Sequence, residues 1–72
     1  MKRILIVEDE IPISRVLSAY LEKHGFETYQ AFTIEHAFML FDRETIDLVL
    51  LDVLLPDGTG WDFLQNIRTQ SP

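Results

Sequence analysis

The sequence has no cysteine and only three glycines and three prolines among its 72 residues. Without cysteine, a disulfide framework and a thiolate zinc site are both excluded. The scarcity of glycine and proline, together with 47% apolar residues, argues against a disordered chain. Because globular domains most often have about 100–150 residues, the sequence has room for one small domain or for part of one.

Basic residues are also scarce, since 6 Lys and Arg stand against 12 Asp and Glu, for a net charge of −6. Nucleic acids and anionic membranes bind basic patches, so neither is an expected partner of this segment. No apolar run approaches the roughly 20 residues of a membrane span. The basic and apolar start resembles a signal peptide, but its apolar run stops after residue 7, short of the about 7–15 residues required. We therefore expect a cytoplasmic protein.

Strand and helix periodicities alternate along the chain. The β-branched run 4–7 predicts a buried strand, the weaker pattern at 26–31 a second, and the continuous apolar run 48–51 a third. Helical spacing predicts one helix from Ile13, Val16, Leu17, Tyr20 and Leu21, a second from Ile34, Ala37, Phe38 and Phe41, and a third from Trp61, Leu64 and Ile67. Pro12 and Gly25 suit the two ends of the first helix, and Thr33 suits the N-cap of the second. Pro56, Gly58 and Gly60 predict a loop.

The predicted order βαβαβα indicates an α/β fold with a parallel sheet and right-handed crossovers. Periodicity alone does not choose between the strand orders 1-2-3 and 2-1-3. The distribution of acidic residues favours 2-1-3, because that order brings the ends of the first and third strands together at a topological switch point.

Carboxylates follow two of the predicted strands directly: Glu8 and Asp9 come after the first strand, and Asp52 comes after the third. Three carboxylates at one edge repel each other, and an oxygen-seeking divalent cation removes that repulsion. Mg²⁺ suits such a site, because it takes one or two carboxylates and keeps several waters. A carboxylate held there can attack phosphorus and form an aspartyl phosphate. The alternative is that these residues are solvated loop residues, or that Asp9 or Glu10 caps the first helix.

The same residues resemble the receiver domain of two-component response regulators. The resemblance lies in residues 4–10, in residues 47–52, and in the pattern Asp52-x-x-x-Pro56-x-x-x-Gly60. It implies a flavodoxin-like parallel sheet, of strand order 2-1-3 over the part present, and a phosphoacceptor function.

The resemblance also implies a role for each site residue. Asp52 would accept a phosphoryl group from the phosphohistidine of a sensor histidine kinase. Glu8 and Asp9 would hold Mg²⁺, and Asp52 and the backbone carbonyl of Leu54 would complete the protein ligands. Pro56 and Gly60 would shape the loop beside the site. Such a domain is a signalling module and not an enzyme, with at most Mg²⁺-dependent autophosphorylation and autodephosphorylation in the full-length parent.

Receiver domains have two more strands, which carry a Ser or Thr and a Lys at the phosphorylation site, and these would lie beyond Pro72. We therefore expect residues 1–72 to be a partial receiver domain, either cut from a longer regulator or a short product in its own right. The opening Met1-Lys2-Arg3 and the pattern of Trp61-Asp62 and Ile67-Arg68 resemble regulators with a winged-helix DNA-binding domain. In such a regulator, DNA would be bound only by an output domain absent from this chain.

Two other functions stay open from the sequence. A half-receiver that cannot be phosphorylated would act as a structural fragment and self-associate through an exposed sheet edge, by edge pairing or swapping. A small metal-dependent phosphatase or phosphotransferase would use an aspartyl nucleophile, but no second general acid or cationic phosphate clamp is visible in the sequence.

Overall fold

The computed structural model describes residues 2–51, 54, 55, 58, 59 and 65. Strands and helices alternate through most of this part of the chain. The elements are β1 (Arg3–Val7), α1 (Ile11–Lys23), β2 (Glu27–Ala31), α2 (Ile34–Arg43), β3 (Leu48–Leu51), β4 (Leu54–Leu55) and β5 (Gly58–Thr59). The first five confirm the elements that periodicity predicts. The predicted third helix falls outside the described residues, apart from Gln65.

β1, β2 and β3 form one parallel sheet in the order β2-β1-β3, which confirms the predicted 2-1-3 arrangement. β1 is the central strand, and its last residue, Val7, is paired with Ala31 on one side and with Leu51 on the other. All three strands therefore end at the same level. This common carboxyl edge is where open α/β sheets bind their ligands.

The hydrophobic core lies between the sheet and α2. Its main cluster consists of Leu5, Val7, Ala31, Ile34, Ala37 and Leu40, all buried, and Ile4 and Ile6 of β1 are buried as well. α2 begins as predicted, because the side chain of Thr33 accepts a hydrogen bond from the backbone N–H of His36 over 3.1 Å. This cap satisfies one of the amides that the first turn of a helix leaves unpaired.

Helix α1 packs on the other face of the sheet through hydroxyl groups. The hydroxyl of Ser14 donates to Oε1 of Gln30 over 2.8 Å, and the hydroxyls of Ser18 and Thr28 lie 2.6 Å apart. Both serines are buried. Their small side chains let the helix approach β2, whose residues on this face are polar.

This packing corrects the apolar face predicted for α1. Leu17 and Leu21 are half-buried, but Ile13, Val16 and Tyr20 are exposed. The helix is rotated so that its serines meet the polar side chains of β2, which turns one side of the apolar stripe away from the sheet.

Two further local features bear on the sequence predictions. Gly25 follows α1 with φ of +90°, a left-handed conformation that favours glycine. Where the sequence predicts a loop around Gly58, β4 and β5 form a short antiparallel pair, with Leu54 opposite Thr59 and Leu55 opposite Gly58.

Neither helix of the described part has the length and apolar character needed to cross a bilayer.

Candidate functional site

The candidate site lies at the carboxyl edge of the sheet, where Val7 and Leu51 are register partners. Glu8 is the next residue after Val7, and Asp52 is the next after Leu51. The backbone N–H of Glu8 donates to the carbonyl of Ala31 over 3.0 Å, which ties the start of the loop after β1 to the end of β2. The sheet therefore brings the carboxyl ends of β1 and β3 to one edge, as the predicted strand order requires.

The loop from Glu8 to Glu10 carries three successive carboxylates and leads into α1. Glu8 is half-buried, and its Oε1 accepts a hydrogen bond from the backbone N–H of Glu10 over 3.2 Å. Asp9 is exposed. Glu10 is the N-cap residue of α1, but its side chain makes no capping hydrogen bond. Glu10 therefore does not cap the helix through its side chain. Asp9 lies one residue before the N-cap position.

An open cavity of about 380 Å³ adjoins the carboxyl edge. Its lining consists of Ile6, Val7, Glu8, Leu17, Leu50 and Leu51. Glu8 is the charged residue of this lining, and the others are aliphatic. A carboxylate beside aliphatic walls is less hydrated than one on an open surface, which strengthens its interaction with a cation.

Three residues of the predicted site lie outside the described part of the chain, namely Asp52, Pro56 and Gly60. Leu54 is described as part of β4. Among the described residues, no three or more acidic or His side chains gather into a group that could hold a metal ion. The predicted ligand set requires Asp52, so it stays a prediction. Glu8 and Asp9 offer only carboxylate oxygens, which fit a hard cation such as Mg²⁺.

At the amino-terminal half of the sheet, a polar network joins β1, β2 and the end of α2. Nε of Arg3 lies 3.1 Å from Oε2 of Glu27, and the hydroxyl of Tyr29 lies 2.9 Å from Oε1 of Glu27 and 3.3 Å from Oε1 of Glu44. The hydrogen bond from Tyr29, followed by that from Arg3, lowers the pKa of Glu27 despite partial desolvation. The same bond to Glu27 raises the pKa of Tyr29.

This network was not predicted from the sequence. The paired charges of Arg3 and Glu27 are the only signal for it, and they become meaningful once the register places the two residues opposite each other. The network lies toward the end of the sheet opposite the candidate site, and its contacts indicate a structural role.

Comparison with known proteins identifies a family. Residues 4–72 match the family model described as "Response regulator receiver domain". The chain is 45% identical over 67 residues to the uncharacterised transcriptional regulatory protein YcbL of Bacillus subtilis, covering 93% of the chain and 30% of that protein. It is 37% identical over 70 residues to the phosphate regulon transcriptional regulatory protein PhoB of Escherichia coli, covering 97% of the chain and 31% of that protein. The chain thus spans less than a third of the length of these two relatives.

Solved structures agree with this match. The response regulator TrrA of Thermotoga maritima, in complex with Mg²⁺-BeF, is 37% identical and superposes with a TM-score of 0.94, covering 99% of the chain and 62% of TrrA. TrrA in complex with the histidine kinase ThkA gives a TM-score of 0.93 at 37% identity, covering 99% of the chain and 61% of the matched one.

Proposed function

The chain belongs to the response regulator receiver domain family, and we propose that it serves as a phosphoacceptor that takes a phosphoryl group from a histidine kinase onto Asp52. The observation that carries this proposal is the pairing of Val7 with Leu51, which ends β1 and β3 level with each other. The acidic residues that follow these strands would then share one edge of the sheet. The TrrA complex with a histidine kinase supports the choice of partner.

We propose that Glu8, Asp9, Asp52 and the backbone carbonyl of Leu54 hold Mg²⁺. When bound, the ion neutralises charge on the carboxylates and on the transferred phosphoryl group. TrrA in complex with Mg²⁺-BeF supports this assignment. The chain's own contribution is to hold Glu8 in place, through its backbone bond to Ala31 and the hydrogen bond from Glu10 to its carboxylate.

In the transfer step, an Oδ atom of Asp52 would form the new O–P bond as the N–P bond of the kinase phosphohistidine breaks. The imidazole leaves with the electron pair of that bond. This is a stoichiometric transfer to the protein itself, so the proposed function is that of a signalling domain and not of an enzyme with a separate substrate.

We further propose that residues 1–72 are the first part of a receiver domain in a cytoplasmic transcriptional regulator. The names of YcbL and PhoB as transcriptional regulatory proteins support this, as does the share of the TrrA chain that is matched. DNA would be bound by a separate output domain, of the winged-helix type that the sequence resembles. The acidic charge of the present chain agrees with this separation.

Self-association of the 72-residue chain is a second proposal. Among the described strands, β3 is paired with β1 alone, and its first residue, Leu48, is 53% exposed. An apolar strand at the edge of a sheet invites pairing with another chain. Family membership favours signalling as the function, so we propose self-association as a property of this chain and not as its role.

Mass spectrometry tests the phosphoacceptor in the full-length protein that carries this segment, after incubation with a small phosphodonor and Mg²⁺. We expect the wild type to gain the mass of one phosphoryl group and Asp52→Asn to gain none. Asp57→Asn is the matched control, because it removes a neighbouring carboxylate and should leave phosphorylation intact. An Asp52→Asn protein that still gains the phosphoryl mass would contradict the assignment.

A further inference from the structure

Asp47 binds both backbone polar groups of Arg3, a residue 44 positions earlier in the chain. Its carboxylate Oδ2 accepts a hydrogen bond from the backbone N–H of Arg3 over 2.8 Å. Its own backbone N–H donates to the carbonyl of Arg3, also over 2.8 Å. This pair of bonds, here called the Arg3–Asp47 clamp, lies one residue before the first register pair of the two strands, Ile4 and Leu48.

The side chains of β3 do little to fix its register against β1. In a strand with one polar and one apolar face, a shift of one residue would bury polar groups, and this penalty fixes the register. β3 consists of Leu-Val-Leu-Leu, and its partner β1 places Ile-Leu-Ile-Val opposite it. A shift of β3 by one residue therefore exchanges one aliphatic side chain for another on each face.

Few other interactions of the described residues fix the register of β3 against β1. The strand has four residues and, among the described elements, pairs only with β1. In the observed register the side chain of Asp47 accepts the N–H of Arg3 over 2.8 Å, and a shift of one residue would carry Asp47 about 3.3 Å along the strand, away from that donor. β2 has its own polar constraint, since the Arg3 side chain binds Glu27 across the strands. The polar contacts of Arg3 thus lie at the amino-terminal end of both strand pairs, β1 with β2 and β1 with β3.

We propose that Asp47 is a positioning residue for phosphorylation, whose carboxylate holds β3 in the register that brings Asp52 to the level of Glu8 and Asp9. A shift of one residue moves a strand by about 3.3 Å and turns each side chain to the other face. Since Mg²⁺ binds its ligands at about 2.0–2.1 Å in a near-ideal octahedron, a carboxylate displaced that far no longer belongs to the same site. This inference rests on the proposed function of Asp52.

The test compares substitutions at Asp47 in the 72-residue chain. Asp47→Asn keeps an oxygen acceptor at the same distance from the backbone, Asp47→Gln places it one methylene further away, and Asp47→Ala removes it. Thr33→Ala is the matched control, because it also removes one side-chain acceptor of a backbone N–H, but at the start of α2. The register is measured by nuclear Overhauser contacts between the backbones of Leu5 and Val49, and the site is probed by Mn²⁺ titration.

We expect Asp47→Ala and Asp47→Gln to lose the Leu5–Val49 contacts or to show a second set of contacts from a shifted register. Both variants should also bind Mn²⁺ about 10-fold to 100-fold more weakly, which is the range for residues that position metal ligands. Asp47→Asn should retain both properties. Thr33→Ala should lower the melting temperature while leaving register and Mn²⁺ affinity unchanged.

A single wild-type register in both Asp47→Ala and Asp47→Gln would overturn the inference. So would equal losses in Asp47→Asn and Asp47→Gln, because the negative charge and not the acceptor position would then be responsible. Should Asp47→Ala fail to fold, the contrast between Asn and Gln still decides. If the wild type binds no Mn²⁺, the proposed metal site fails, while the backbone contacts still decide the role of Asp47.

Discussion

The hydroxyl of Ser14 donates to Oε1 of Gln30 over 2.8 Å and joins α1 to β2 at a point where Ser14 is fully buried. Replacing Ser14 by Ala should therefore destabilise the protein by about 1 kcal/mol, because the amide oxygen of Gln30 loses its donor at a part-buried position. The higher helix propensity of Ala offsets part of this loss. Urea denaturation of the variant measures the difference. Arg15→Ala, on the exposed side of the same helix, is the control and should change stability by less than about 0.5 kcal/mol.

Gly25 offers a test of backbone conformation without steric complication. Its φ is +90°, and a Cβ added there would meet nothing within 4 Å. Gly25→Ala should destabilise the protein by about 1–2 kcal/mol, since a left-handed backbone is unfavourable for an L-residue. Gly25→Asn should cost less, because Asn tolerates this region better. Thermal unfolding of the two variants should show this order, and the reverse order would mean that the strain lies elsewhere.

The network of Glu27 and Tyr29 predicts how stability depends on pH. Because the folded state lowers the pKa of Glu27 from its ordinary value of 4.5, its contribution is present above that value and is lost as pH falls through the folded pKa. Because the folded state raises the pKa of Tyr29 from 10.0, its contribution is present below that value and is lost as pH rises through the folded pKa. Stability from this pair should thus be constant between about pH 5 and pH 9 and decline on both sides.

Tyr29→Phe tests this assignment. It removes the hydrogen bond that contributes most to the lowered pKa of Glu27, so the variant should lose less stability than the wild type between neutral and acidic pH. Melting temperatures measured across the acidic range check the prediction. An unchanged acid dependence would show that Arg3, the other partner of Glu27, is sufficient.

The proposed Mg²⁺ site predicts a difference between two aspartates. Asp9→Ala should weaken Mg²⁺ or Mn²⁺ binding about tenfold or more, because it removes a proposed ligand or a residue that positions one. Asp57→Ala should have a smaller effect, since turn chemistry accounts for a Pro-Asp-Gly segment. Isothermal titration of the two variants makes the comparison. Equal effects would mean that the site has been misplaced.

Among the described strands β3 pairs with β1 alone, and this arrangement predicts the oligomeric state of the chain. Light scattering coupled to size exclusion should find particles larger than the 8.4 kDa monomer. Leu48→Lys should shift them toward monomer, because a charge on an edge strand discourages pairing. Met39→Lys is the matched control, since Met39 is 55% exposed on α2, away from the sheet edge. A wild-type chain that is monomeric and melts cooperatively would contradict the proposal.

Local interactions explain which parts of the fold the sequence determines by itself. The apolar runs 4–7 and 48–51 become β1 and β3, Thr33 caps α2, and Gly25 follows α1, because strand burial, capping and left-handed turns each depend on a few neighbouring residues. The strand order is also predictable from the sequence, because the acidic residues after two of the strands indicate which strand ends meet. The phosphorylation and metal site was inferred from the same residues together with the family resemblance.

Only the tertiary structure decides which face of α1 is buried and how the strands are aligned. Apolar spacing alone predicted that Val16 and Tyr20 would pack inward, but hydrogen bonds to β2 turn the helix onto Ser14 and Ser18. The register of β3 depends likewise on the bond between Asp47 and Arg3, which are 44 positions apart. Such contacts form between residues distant in the chain, so their partners are set by the packing of whole elements and leave no periodic signal in the sequence.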